Sequence, residues 1–189
     1  MIAGLLLAGG EGRRFGGPKL LAPLPDGTPV AVAAARHLAE GGLEEMVAVV
    51  RPGGPDLERA LAGTGARVVA APEARRGMGA SLAAGVAACP DAHGWIVALG
   101  DMPWIRPETV AAVAGELRRG SAIVRPALRD RPGHPVGFGA GLRADLEALD
   151  GDVGGRQVLD RYPDRITLVP VSDPGIRADI DHLADLGHP

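Results

Sequence analysis

Short apolar runs recur along this chain, and stretches of helical character separate them. Ile2 to Leu7, Met46 to Val50, Arg67 to Ala70 and Trp95 to Leu99 have the length and aliphatic content of strands. Val30 to Ala39 reads as a helix stopped by Gly41-Gly42, Asp56 to Leu61 as a short helix, and Gly79 to Ala88 as a helix ended by Pro90. Another opens at Pro107 and closes near Arg119 at Gly120. Strands that alternate with helices must be joined by crossovers, which gives a mostly parallel sheet with helices on both faces. The expected class is therefore α/β in three layers, and Trp95 to Leu99, wholly apolar, suits a central strand covered on both sides.

The pattern loosens after residue 120. Ala122 to Pro126 and Val136 to Phe138 read as strands around the polar stretch Arg129 to His134. Arg143 to Leu149 and Gly155 to Arg161 read as helices, Ile166 to Val171 as a strand and Ile180 to Leu186 as a closing helix. No repeat or linker divides the 189 residues, a length suited to one domain with a sizeable core. Residues 1–120 are expected to form one half and 121–189 to complete the same sheet and the far side of a cleft.

The first strand runs directly into Leu7-Ala-Gly-Gly-Glu-Gly-Arg-Arg-Phe-Gly-Gly-Pro-Lys19. Glycines let backbone N–H groups approach a ligand and form an anion-binding concavity, and Arg13, Arg14 and Lys19 add full positive charges. Ligands of open α/β sheets bind at the carboxyl ends of the strands, where this loop lies. These features indicate a polyphosphate site. The ATPase loop does not fit: Pro18 interrupts the spacing between Gly17 and Lys19, and Leu20 stands where a hydroxyl is needed. The dinucleotide fingerprint does not fit either, because Gly10, Gly12 and Gly16 are spaced one residue too long. An NADP-type dehydrogenase stays open as a rival on one point: Met46 to Val50 ends at Arg51, which suits a 2′-phosphate.

With this loop, the chain resembles the nucleotidyltransferases of molybdenum cofactor maturation, within the glycosyltransferase-A-like superfamily of nucleotide-diphospho-sugar transferases. The resemblance is carried by Leu7, Ala8, Gly9, Gly10, Gly12, Arg14, Phe15, Gly16 and Lys19. It continues in order through Gly77-Met78-Gly79-Ala80-Ser81-Leu82, Gly100-Asp101-Met102-Pro103, Gly133-His134-Pro135-Val136 and Gly151-Asp152-Val153-Gly154-Gly155-Arg156. It implies a Rossmann-like NTP transferase domain over residues 1–189, with a nucleotide-binding half before residue 120 and an acceptor-binding half after it. The implied reaction transfers NMP from an NTP to the phosphate of molybdopterin or the molybdenum cofactor, with Mg²⁺ and release of pyrophosphate. A molybdoenzyme is an implied partner. Gly9 is the form common in guanylyl-transferring relatives, but the other four segments look cytidylyl-like, so CTP is favoured over GTP. A cytidylyltransferase or pyrophosphorylase acting on a sugar or polyol phosphate is one alternative, and a non-catalytic nucleotide-binding partner of a molybdoenzyme another.

Asp101 follows a central strand through Gly100 and should project into the same crevice as the loop. Mg²⁺ takes one or two carboxylates, with phosphates and water completing its shell, so one such aspartate can seat it. Asp179 and Asp181 alternate around Ile180, and the family carries a metal-associated Asp or Asn nearby; Asp181 is assigned to the metal, against a helix-capping alternative, with Asp179 supporting. Arg14, Lys19 and Asp101 are the expected catalytic residues. Leu7, Ala8, Gly9, Gly10, Gly12, Arg14, Lys19, Gly77, Gly79 and Ser81 are expected at the nucleotide, with helix capping as the alternative for Ser81. His134 and Arg156, with Arg131 nearby, are expected at the acceptor.

A net charge of −3 implies no general polyanion-binding surface, and 3% aromatic residues leave little for stacking single-stranded nucleic acid. Cys89 is the single cysteine, which excludes an internal disulfide and a cysteine-rich zinc site; it reads as a small buried hydrophobe. Met1-Ile2-Ala3-Gly4 lacks the basic region of a signal peptide, and no run reaches membrane-spanning length. A cytoplasmic enzyme with no nucleic-acid or membrane partner is expected.

Overall fold

A computed structural model describes residues 1–10 and 15–187. Strand β1 (Ala3–Leu7) is followed by helix α1 (Val30–Glu40), β2 (Glu45–Val50), α2 (Pro55–Ala62), β3 (Arg67–Ala70), α3 (Met78–Ala87), β4 (Gly94–Leu99) and α4 (Pro107–Arg118). Then come β5 (Ile123–Leu128), β6 (Arg131–Pro132), β7 (Val136–Gly139), α5 (Arg143–Glu147), α6 (Arg156–Arg161) and β8 (Ile166–Pro170). All eight strands join one sheet, with β3-β2-β1-β4-β7-β5 along its path and β8 on the outer side of β5. Strands β1 to β4 are parallel; β7 lies antiparallel between β4 and β5. β6 continues the line of β7 beside β5, separated from it by Gly133, His134 and Pro135, with a cis bond before the proline.

Alternation along the strands divides the core between the two faces. Leu6, Ala48, Ile96 and Val124 pack with Leu38 of α1 and Val113 of α4 on one face. Leu5, Val47, Val97, Ile123 and Phe138 pack with Leu82 and Val86 of α3, Leu146 of α5 and Val158 of α6 on the other. Cys89 is fully buried in the second cluster, and burial pushes its thiol up to about 11, so it is an unreactive core residue.

The expected closing helix is absent. Residues 178–182 are irregular and only Leu183–Gly187 forms a 3₁₀ turn. Tertiary contacts override the local pattern: Ile180 is fully buried in a small cluster with Leu24, Val30 and Ala33, and its N–H donates to Asp101 O at 2.9 Å. That hydrogen bond fastens the last segment to the end of β4.

A buried carboxylate anchors the same region. Asp173 accepts from Thr109 Oγ1 at 2.7 Å, Arg106 N at 2.9 Å and Gly175 N at 2.9 Å. Asp173→Ala leaves these donors in a dry environment and should lower unfolding stability by about 3 kcal/mol. A urea denaturation midpoint within error of the parent protein would show that the anchor is not structural.

Candidate active site

The site lies at the carboxyl ends of β1 and β4. β1 and β4 pair in register through Leu7 and Leu99, and Gly100 N donates to Leu7 O at 2.9 Å, so the turn after β4 stays against the start of the glycine loop. This places Asp101 opposite Lys19, which sits on a 3₁₀ turn (Lys19–Leu21) held down by buried Leu20. Lys19 Nζ donates to Asp101 Oδ2 at 2.7 Å and lies 3.7 Å from Asp181 Oδ1. Three residues far apart in sequence thus converge on one point. The backbone N–H groups of Asp181 and His182 are satisfied by Asp185 Oδ2, at 2.9 and 2.7 Å. With no closing helix, Asp181 has no helix start to cap, and its carboxylate faces the lysine.

Two carboxylates meeting at a cation are the donor set of a hard divalent ion that completes its shell with phosphate and water. No group of three or more His, Cys, Asp or Glu able to hold a metal occurs among the described residues, so a closed protein-only site is not formed there.

Two adjoining cavities share Leu7, Met78 and Leu99. The first, about 250 Å³, is lined by Gly9, Gly10, Lys19, Arg51, Gly77, Ser81, Asp101 and Asp152, among others. Ala8 is buried and does not line it, its N–H donating to Val49 O at 2.8 Å. Gly12 and Arg14 lie outside the described residues. Ser81 does not cap α3. It sits within the helix, its Oγ donating to Gly77 O at 2.9 Å, and the cap position is Gly77.

Gly77 has φ of +132°, and a Cβ there would collide with the Gly151 backbone. A Cβ on Gly79 would stand 2.7 Å from Asp150 O and 2.8 Å from Val153 O. These glycines admit the loop around Asp152 against the start of α3, where Gly79 N donates to Gly151 O at 2.8 Å. The two sequence motifs are therefore one structural unit, which puts Asp152 in the first cavity and Gly154 to Arg156 at the second.

The second cavity, about 700 Å³, has walls of Leu82, Val97, Leu99, Val136, Phe138, Leu159 and Ile166, with Arg125, His134, Arg156 and Asp160 as polar members. His134 is here, as expected. Burial, and secondarily the Arg125 guanidinium, push its pKa down to about 4, with Asp179 acting the other way, so the imidazole is neutral near pH 7. Asp179 thus bears on His134 rather than joining the Lys19 cluster. Arg156 is 83% exposed at the rim, 3.6 Å from Asp160 Oδ2. Arg131 is exposed on β6 and does not line the cavity. The charge within the wall is Arg125, which the sequence reading passed over. Its signal was visible: a single arginine inside an otherwise apolar strand.

An α/β sheet of this order, with a glycine loop, a lysine and paired carboxylates at its carboxyl edge, is the architecture of a nucleotidyltransferase. The chain belongs to the MobA-like NTP transferase domain family, which it matches over residues 4–166. It is 34% identical to nicotine blue oxidoreductase of Paenarthrobacter nicotinovorans, over 98% of this chain and 94% of that one. Among solved structures it is similar to Rv0371c of Mycobacterium tuberculosis H37Rv, at 28% identity and a TM-score of 0.84, covering 97% of this chain and 94% of that one. A structure of Rv0371c in complex with manganese superposes with a TM-score of 0.81, at 25% identity over 97% and 94% of the two chains.

Proposed function

We propose that the protein transfers a nucleoside monophosphate from an NTP to the phosphate of a small acceptor. CTP is the favoured donor, GTP is possible, and molybdopterin or the molybdenum cofactor is the favoured acceptor. The observation that carries this reading is the convergence of Lys19, Asp101 and Asp181, with Lys19 and Asp101 in the wall of the first cavity, which adjoins the second. The triphosphate lies along Gly9, Gly10 and Lys19 in the first cavity, the acceptor in the second. An acceptor phosphate oxygen attacks the α-phosphorus, the bond to the β-phosphate breaks, and pyrophosphate leaves. Such a reaction needs positioning and charge neutralisation rather than a covalent protein intermediate. A Mg²⁺ held by Asp101 and Asp181 would offset the charge on the α-phosphate and the leaving group; the manganese bound by Rv0371c supports a divalent ion here.

The decisive experiment is pyrophosphate release from each of the four NTPs with and without molybdopterin, the product being weighed by mass spectrometry. A cytosine dinucleotide is expected; no acceptor-dependent pyrophosphate would remove the proposal. Base choice has a separate test at Gly9. A Cβ on Gly9 would rest at 3.4 Å from both Ala74 Cβ and Ser81 Oγ, an ordinary contact, so Gly9→Ala fits and narrows the cavity by one methyl. The ratio of CTP to GTP use should rise by roughly 10-fold, the scale of a methylene-sized change. A guanine dinucleotide as the dominant product of the parent protein would show that the first loop sets the base.

One observation favours a second reading. Arg51, at the end of β2, lines the first cavity, where it would suit the 2′-phosphate of NADPH, and the relative from P. nicotinovorans carries the name of an oxidoreductase. Consumption of NADPH with an added electron acceptor, and no pyrophosphate from any NTP, would decide for it.

A further inference from the structure

The second cavity holds a charge without a counter-charge. Arg125 lies between Ile123 and Ala127, both buried, and points with Ile123 toward the face of the sheet that carries Val97, Val136 and Phe138. Its Nε is buried with no hydrogen-bond partner, and it forms no ion pair among the described residues. Beside it, Nδ1 of His134 is also buried without a partner. A half-buried guanidinium whose Nε is desolvated and unpaired is costly, and a ligand anion would satisfy it. The other cation at this cavity, Arg156, is exposed and already near Asp160.

Strand register sets how far this charge is from the reacting atoms. Ile123 pairs with Phe138 and Val124 with Gly137, so Arg125 is level with Val136, which pairs with Val97. Asp101 is beyond Val97 at the carboxyl end of β4, two strands away. At about 3.3 Å per residue and about 4.8 Å between strands, the two Cα positions are on the order of 15 Å apart. Arginine and lysine side chains are long enough to bridge much of that gap.

We infer that Arg125 binds an anionic group of the acceptor. The acceptor is then a small molecule with a largely apolar body, lying against Val136 and Phe138, and a negative charge that pairs with Arg125. A polar group of that body faces His134 Nδ1. That the bound molecule accepts a nucleotidyl group rests on the transfer reading above; the anion site does not.

Two dyes test the site without the natural acceptor: 1-anilinonaphthalene-8-sulfonate and the uncharged N-phenyl-1-naphthylamine, each titrated by fluorescence with CTP and Mg²⁺ present. The sulfonate should bind on the order of 10-fold tighter, the scale of one charge-assisted hydrogen-bonded contact. Arg125→Gln should abolish that preference and leave the uncharged dye and the CTP affinity unchanged. Arg125→Met, which suits an apolar wall, repeats the test should the glutamine variant fold poorly. Arg156→Gln should keep the preference. Equal binding of the two dyes, a preference that survives loss of Arg125 or disappears with Arg156, or competitive displacement of the sulfonate by CTP would each overturn the inference. Dye discrimination by a protein that releases no pyrophosphate would leave the anion site standing and remove the transfer reading alone.

Discussion

Asp101→Asn is expected to lower turnover by ~10²-fold or more, the usual consequence of losing one preorganised electrostatic contact to developing charge. The substitution barely changes volume, and the backbone carbonyl of residue 101, which accepts from Ile180 N, is untouched. The fold should therefore survive, with a thermal midpoint close to that of the parent. Two things are lost together: one of two carboxylates available to a divalent ion, and the partner that holds Lys19 Nζ at 2.7 Å. Steady-state kinetics across a magnesium titration checks the assignment. Near-parental turnover at saturating magnesium would mean that Asp101 is a structural partner of Lys19 and no more.

Lys19→Ala should raise KM for the NTP and lower kcat, with kcat/KM falling by ~10²-fold, because the ammonium meets the triphosphate in the ground state and the transition state alike. Its effect on metal alone should have the opposite sign. In the structure the ammonium lies 2.7 Å from Asp101 and 3.7 Å from Asp181, where it would compete with a divalent ion for both carboxylates. Removing it leaves two neighbouring negative charges, so Mn²⁺ should bind the nucleotide-free variant more tightly than the parent, as read by electron paramagnetic resonance. Weaker Mn²⁺ binding would argue that Lys19 orders the aspartates rather than competing for them. A change confined to the KM of the acceptor would move Lys19 to the other side of the cleft.

Arg125 and Arg156 show why charge in a sequence is a poor guide to charge in a site. Arg156 belongs to a recognisable motif and ends at the rim, mostly solvated. Arg125 belongs to no motif and stands in the wall. An exposed guanidinium next to a carboxylate is screened and worth little, whereas a half-buried one without a partner retains its full demand for an anion.

Lys19 and Asp101 were legible in the sequence for one physical reason. Strands β1 and β4 are buried on both faces, so their apolar runs show where they end, and in a parallel sheet those ends share one edge. The same argument located the loop at Gly9 and Gly10, and local periodicity was enough for the helices from α1 to α4. What the sequence could not reveal depended on contacts between distant segments. Residues 180–186 have a helical pattern, yet burial of Ile180 and its hydrogen bond to Asp101 hold residues 178–182 in irregular structure, and that arrangement brings Asp181 to Lys19. Gly77 and Gly79 read as loop residues under a ligand, and only the fold shows that the Asp152 loop is pressed against them as well. Arg125 reads as an ordinary strand residue, and only the packing of α3, α6 and β8 leaves a cavity above it instead of a neighbour. Periodicity encodes which residues a strand or helix turns inward; whether space, solvent or another segment lies there is decided by the tertiary fold.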